Sequence, residues 1–271
     1  ELIAALETAA EGAEVLLAGG GDGTISAAAS IAFQRNVTLA VLPAGTMNLF
    51  ARSLSIPLNL DQALEALSAG SLGRVDIATA NGRPFVHQFS VGLHAKLVKL
   101  RASLVYRSRV GKMLASTRSA IAAVVAAPNF WADIVTPEGI ERRRTSGISV
   151  SNNPMPDVGL PVAARLDRGM LGLFAIPPLT PQNGFKLATS VLLGRWKSLP
   201  EVLYAEAREV TLRFPARKAD SVAVIDGELL RLPARVELKI HPGALKVVMP
   251  DVPVPIPVRI AAAIGLPGAS S

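Results

Sequence analysis

The chain has 271 residues, 50% of them hydrophobic, a net charge of +7 and no cysteine. This is enough apolar material for a sizeable core in one or two domains, and the lack of cysteine excludes disulfide frameworks and thiolate metal sites and fits a reducing compartment. No apolar run reaches the ~18 residues that span a bilayer, and an aromatic content of 4% leaves few stacking platforms for single-stranded nucleic acid. The pattern is therefore that of a soluble or peripheral protein, with an acidic membrane or a phosphorylated ligand ahead of nucleic acid as the anionic partner.

Residues 1–10 read as a helix. "AEVLLAGG", ending at Gly20, is a short apolar run closed by glycine, a buried strand. "DGTISAAASIAFQ" is a second helix and "VTLAVLP" a second buried strand. "NLFARSL" opens a helix that stops before Pro57. "LDQALEALSAG" is a helix with Asp61 as its expected N-cap and Gly70 as its stop. This alternation over 1–74 predicts a parallel, doubly wound sheet.

The rhythm changes near Arg74. "RVDIATANGRPFVHQFSVG" reads as two strands about an Asn81-Gly82 hairpin turn. Residues 96–127 read as mostly helical, and from Phe130 the runs "WADIVTP", "SGISVSN", "LGLFAIPP", "EVTLRFP", "SVAVIDGELLRLP" and "RVELKIHPGALKVVMP" read as strands and turns. The fold class is thus α/β plus all-β: an α/β domain over 1–74, an antiparallel, β-sandwich-like domain over 75–250 and a proline-rich tail over 251–271. Arg142, Arg143 and Arg144 are expected in an exposed loop.

Three motifs carry chemistry. "GGGDGT", Gly19 to Thr24, joins a strand to a helix. Its glycines let the backbone approach a ligand, and the helix N-terminus that follows offers free N–H groups to an anion; a tight turn capped by Asp22 explains the same letters. The spacing matches neither GxxxxGKS/T nor GxGxxG. "PAGTMNLFAR", Pro43 to Arg52, stands at the end of the next strand, with Thr46 and Asn48 as neutral hydrogen-bonding groups at the same sheet edge, where parallel sheets place ligands. "VIDGELLRLP", Val224 to Pro233, is first a hairpin turn. Glu228 would share a face with Asp226 if the chain is extended, and two close carboxylates bind Mg²⁺ or give one acid a raised pKa as a base.

In this order, "GGDGT", "PAGTMNLFAR" and "DGE" resemble the diacylglycerol kinase catalytic-domain family, which takes in bacterial lipid kinases and sphingosine kinases. "FSVGLHA" and "LPVAARLDRGMLGLFAI" extend the resemblance to about Pro250. The resemblance implies a NAD kinase-like nucleotide-binding domain facing a lipid-substrate domain across a cleft, with transfer of the ATP γ-phosphate to a lipid hydroxyl. It implies that Gly20, Gly21, Asp22, Gly23, Thr24, Thr46 and Asn48 contact the nucleotide, that Asp22 anchors the catalytic Mg²⁺, and that Glu228 is the catalytic base with Asp226 beside it. The family's opening strand and phosphate loop have no counterpart in these residues, Leu49 and His94 stand where the family carries acids, and Asp167-Arg168-Gly169 stands for its metal-binding DDG. A guanidinium cannot ligate a metal, so Arg168 is expected in an ion pair instead of at a structural Mg²⁺. His94 reads more readily as a hydrogen-bonded structural residue than as a replacement ligand.

Residues 96–127 carry seven cations, from Lys96 to Arg118, and no acid. Either they form a solvated helix face or they dock on anionic lipid at about 1 kcal/mol per charge. The expected partners are a lipid substrate and the anionic inner face of a membrane reached from the cytoplasm, with no nucleic acid and with a homodimer left open. The competing readings are a degenerate lipid- or nucleotide-binding protein and a NAD kinase, which shares "GGDGT" but not "PAGTMNLFAR".

Overall fold

Strands β1 (Val15–Gly20) and β2 (Thr38–Pro43) pair in parallel, Val15 opposite Thr38 and Gly20 opposite Pro43. They belong to a computed structural model that describes residues 1–103, 127–156 and 163–251. Between them runs helix α2 (Asp22–Arg35), whose buried Ile25, Ala28, Ala29 and Ala32 fall at helical spacing and, being mostly alanine, let the helix lie close to the sheet. Asn36 ends it in the left-handed conformation at φ 57°. Helix α1 (Leu2–Ala9) packs beside α2, and α3 (Leu49–Ser53) and α4 (Leu60–Ser68) follow β2. Asn59, not Asp61, caps α4: its Oδ1 accepts from the Gln62 N–H at 3.1 Å, and Asp61 falls in the first turn. Strand β1 bonds only to β2 among the described residues, and Val15 and Leu17 on one of its faces are about half exposed.

Strands β3 (Ser71–Ala80) and β4 (Arg83–Phe85) form the expected hairpin, with positive φ at both Asn81 and Gly82, the type I′ signature. The boundary expected after residue 74 falls inside β3. Next come β5 (Gln88–Gly92), α5 (Leu93–Ser103), β6 (Phe130–Thr136), β7 (Gly139–Thr145), β8 (Gly147–Asn152), β9 (Leu171–Ile176), α6 (Pro181–Leu192), β10 (Leu203–Ala207), β11 (Glu209–Arg213), β12 (Val222–Ile225), β13 (Glu228–Arg231) and β14 (Arg235–Met249). Most of the basic segment expected over 96–127 lies outside the described residues, and so does the tail beyond residue 251. The three arginines expected in a loop lie on β7: Arg142 pairs with Asp133 of β6 at 3.0 Å, and Arg143 bonds to Glu141 at 2.8 Å and to the Glu201 carbonyl at 3.1 Å. An edge strand tolerates such charges because its outer face meets water.

Strands β10-β9-β8-β5-β12-β13 form an antiparallel sheet. The other sheet is mixed and is organised by β14, which carries β3 along one edge and, on the other, first β11 and then β2 in parallel at Val247 and Leu39. Between His241 and Leu245 the β14 register shifts, with Gly243 at φ 59°. The carboxylate of Asp76, 1% exposed, fixes this bulge by accepting from the Gly243 N–H at 2.8 Å and from the Gly169 N–H at 2.6 Å. Two cores follow. One, around Ile25, Leu39, Val41, Phe50 and Ile77, includes Leu245 and Val247 from the far end of the chain. The other lies between the sheets, where Ile134, Leu212 and Leu238 of the mixed sheet meet Phe89, Ile148 and Leu173 of the antiparallel one.

Beside the bulge, the His241 ring shares a hydrogen bond of 3.0 Å with Thr79 Oγ1 and packs on Phe33 at 5.4 Å. Burial, with Lys239 adding to it, holds its pKa below the ordinary 6.5. Below about pH 6.5 the unfolded chain therefore binds the proton that the folded chain resists, and stability falls with acid. Denaturant unfolding followed from about pH 7 to about pH 5 is expected to show a smaller loss in His241→Gln than in the unaltered protein; equal slopes would refute it.

Candidate active site

The loops that follow β1 and β2 lie back to back. A Cβ on Gly45 would come within 2.5 Å of the Gly21 Cα, so glycine is required for this approach. Gly20 likewise faces the Thr24 side chain, which a Cβ would meet at 2.7 Å. Asp22 is not the cap of its own helix. Its Oδ1 accepts from the Leu49 N–H at 2.6 Å and its Oδ2 from the Asn48 N–H at 3.1 Å, so it caps α3 and ties the two loops together. Asn48, 8% exposed and at φ 51°, turns its amide back on Gly45: Oδ1 accepts from the Gly45 N–H and Nδ2 donates to the Gly45 carbonyl. Its side chain thus shapes the loop. Thr46 stands exposed at the tip, and Gly23 has open space where a Cβ would be.

The β12–β13 hairpin reaches these loops from the antiparallel sheet. Asp226 and Gly227 both have positive φ and form a type I′ turn. The Asp226 carboxylate accepts four hydrogen bonds: from Ser26 Oγ of α2 at 2.6 Å, and from the backbone N–H groups of Val86, His87 and Gln88 at 2.9, 3.0 and 2.9 Å. A carboxylate so used is an anchor and not a free base. The extended geometry that would put Asp226 and Glu228 on one face is replaced by the turn. Asp226 points inward, while Glu228 opens β13, is 66% exposed and bonds to the guanidinium of Arg83 on β4.

A cleft of about 770 Å³ runs between α1 and α2 on one side and this turn on the other. Asp22, Gly23 and Ser26 line it together with Asp226, Gly227 and Glu228, so the first and third sequence motifs meet there. Its described lining holds four carboxylates, those of Glu7, Asp22, Asp226 and Glu228, and one cation, Arg83. No group of three or more potential metal-ligating side chains occurs among the described residues. The cleft therefore offers no closed cage, but a Mg²⁺ held mainly by phosphate oxygens and water needs only one or two carboxylates, which this donor set provides.

Sequence reasoning passed over His87. Burial depresses its pKa, while the carboxylates of Asp226 and Asp22 pull the other way, so the ring lies within their field. No spacing in the sequence signals this, because Asp226 is 139 residues away. His94 Nδ1 lies 2.5 Å from the Oγ of fully buried Ser90, a hydrogen-bonded structural setting. Arg168 pairs with Glu206 at 2.9 Å. A second cavity, of about 460 Å³, opens at the far end of β5 and β12. Its apolar wall includes Val91, Ala95, Phe130 and Phe214, and Lys96, Lys99, Arg217 and Lys218 stand among its lining residues.

The two-sheet fold is shared with solved structures of diacylglycerol kinases. Two structures from Bacillus anthracis share its architecture: one of a diacylglycerol kinase, at 16% identity and a TM-score of 0.65 over 93% of this chain and 82% of that one, and a second, a candidate diacylglycerol kinase, at 20% identity and a TM-score of 0.71 over 92% and 82%. The family model for the diacylglycerol kinase catalytic domain matches residues 2–80. A Pseudomonas aeruginosa relative named "Probable lipid kinase YegS-like" is 32% identical over 255 residues, covering 90% of this chain and 79% of the relative. The Synechocystis protein sll0036, uncharacterized, is 26% identical over 89% of this chain, which spans 56% of that protein's length. The chain belongs to the diacylglycerol kinase catalytic-domain family.

The Asp226 anchor has a measurable weight. Asp226→Ala strands three backbone donors and the Ser26 hydroxyl, and is expected to cost about 3–5 kcal/mol of unfolding free energy, against about 1 kcal/mol for Ser26→Ala. Urea titrations of both variants check this, and similar small losses would contradict it.

Proposed function

We propose that the protein is a lipid kinase that moves the γ-phosphate of ATP to a lipid hydroxyl. The observation that carries this reading is the cleft into which α2 and the β12–β13 turn are drawn by the Ser26–Asp226 bond, between residues 200 positions apart. Membership of a family whose relatives are named lipid kinases supports it.

In this reading the start of α2 receives phosphate, since the first turn of a helix leaves N–H groups unpaired. Gly20, Gly21 and Gly23 keep the backbone close, and Thr24 and Thr46 add hydroxyls. Asp22 retains a lone pair on each oxygen beyond those its two N–H partners use, and through these it would hold Mg²⁺. Bound Mg²⁺ and ATP supply the phosphoryl group and neutralise its charge. Glu228, exposed in the cleft, accepts the proton of the attacking hydroxyl, and Asp226 fixes the turn that presents it. Asn48 holds the shape of the loop that carries Thr46.

The second cavity suits the approach to a bilayer. An apolar wall with Lys96, Lys99, Arg217 and Lys218 around it, and Trp131 half exposed beside it, fits an anionic lipid surface. No helix among the described residues is long and apolar enough to cross a membrane.

Transfer of labelled phosphate from ATP to a panel of lipids in mixed micelles tests the chemistry. Glu228→Ala is expected to lower the rate about 10²–10⁴-fold. No transfer to any lipid while ATP remains bound would favour a nucleotide-binding protein without kinase activity. For the membrane contact, co-sedimentation with vesicles containing anionic lipid is expected to weaken as salt rises and to fall when Lys96 and Lys99 are changed to Gln; binding indifferent to anionic lipid would remove the claim.

A further inference from the structure

Arg83 and Glu228 come from different sheets. Arg83 opens β4, next to the Asn81-Gly82 turn of the mixed sheet, and Glu228 opens β13, next to the Asp226-Gly227 turn of the antiparallel one. Their ion pair closes one lip of the cleft. The Arg83 and Glu228 side chains are 45% and 66% exposed, so water screens the pair and it is easily exchanged. Arg83 is also the one cation among the described lining residues, against four carboxylates. A polyphosphate entering this field is repelled by every fixed charge but one. A guanidinium presents a planar fork that suits phosphate oxygens, and a doubly charged phosphate in a partly closed cleft is a stronger partner than a water-exposed carboxylate.

We infer that Arg83 is a switching, positioning residue, paired with Glu228 in the absence of nucleotide and transferred to a phosphate group of ATP when the nucleotide binds. The exchange has two effects. It supplies the phosphate with fixed positive charge, and it removes the cation that competes with the acceptor hydroxyl for Glu228 Oε2. The competing guanidinium is thereby withdrawn from the base as the phosphoryl donor takes its place. This inference rests on reading the cleft as the nucleotide phosphate site.

Equilibrium binding of Mg²⁺-ATP, measured by calorimetry without turnover, tests it in the unaltered protein, Glu228→Ala, Arg83→Ala and the double variant. Arg83→Ala is expected to weaken binding about tenfold or more, with Arg83→Lys, which keeps the charge but not the fork, in between. Glu228→Ala is expected to tighten binding about two- to fivefold, the release of an exposed ion pair. That tightening is expected to vanish when Arg83 is also alanine, because no guanidinium is left to release. If Glu228→Ala tightens ATP equally in both backgrounds, or in neither, the switch is overturned while the nucleotide reading stands. If the unaltered protein binds no ATP, the nucleotide reading itself fails and the switch with it.

Discussion

The carboxylate of Asp226 sets the relation between the two halves of this protein. Its four donors come from α2, from the two residues that link β4 to β5 and from the first residue of β5. A short turn at the tip of the antiparallel sheet is thereby fixed against the helix that begins at the glycine loop. Backbone N–H groups 86 to 88 would otherwise need water or another acceptor at a partly buried crossing. Glu228 sits two residues beyond the anchor and inherits its position from it, yet remains exposed. Both acids line the cleft, but Asp226 is taken up by four donors while Glu228 meets one exposed guanidinium.

A fully buried acid, Asp76, does comparable work for the frame. Asp76 accepts the N–H of Gly243 inside β14 and that of Gly169 in the segment before β9. The bulge it stabilises lets one strand serve two neighbours, β11 before it and β2 after it. The last described strand thus joins the sheet that contains β1, and the α/β core includes residues from both ends of the described chain. Asp22 follows the same logic on a smaller scale, capping a helix that begins 27 residues later.

Local signals in the sequence were reliable where the physics is local. A glycine run after an apolar run marks the end of β1, Pro43 and Gly45 mark the end of β2, and Asn81-Gly82 and Asp226-Gly227 mark type I′ turns because few other pairs accept two positive φ angles. Helix α6 falls where only strands and turns are read, although Thr180 marks its start, its hydroxyl accepting the Asn183 N–H. Strand β7 was hidden because a charged edge strand lacks the apolar alternation that betrays buried ones. The roles of Asp22, Asp226, Asn48 and His87 were not readable in detail. Their partners are mostly backbone groups or distant residues, and nothing in a motif states whether a carboxylate's lone pairs are already taken.

Strand β1 ends in the glycines that begin the loop at the cleft, and one of its edges makes no ladder among the described residues. Among the described residues that edge, with apolar Val15 and Leu17 beside it, offers backbone groups to which a strand of matching pitch can pair. Strand addition there would stiffen β1 along its whole length and restrict how far Gly20 and Gly21 can shift. What lies alongside the strand therefore bears on the position of the glycines that it delivers to the cleft.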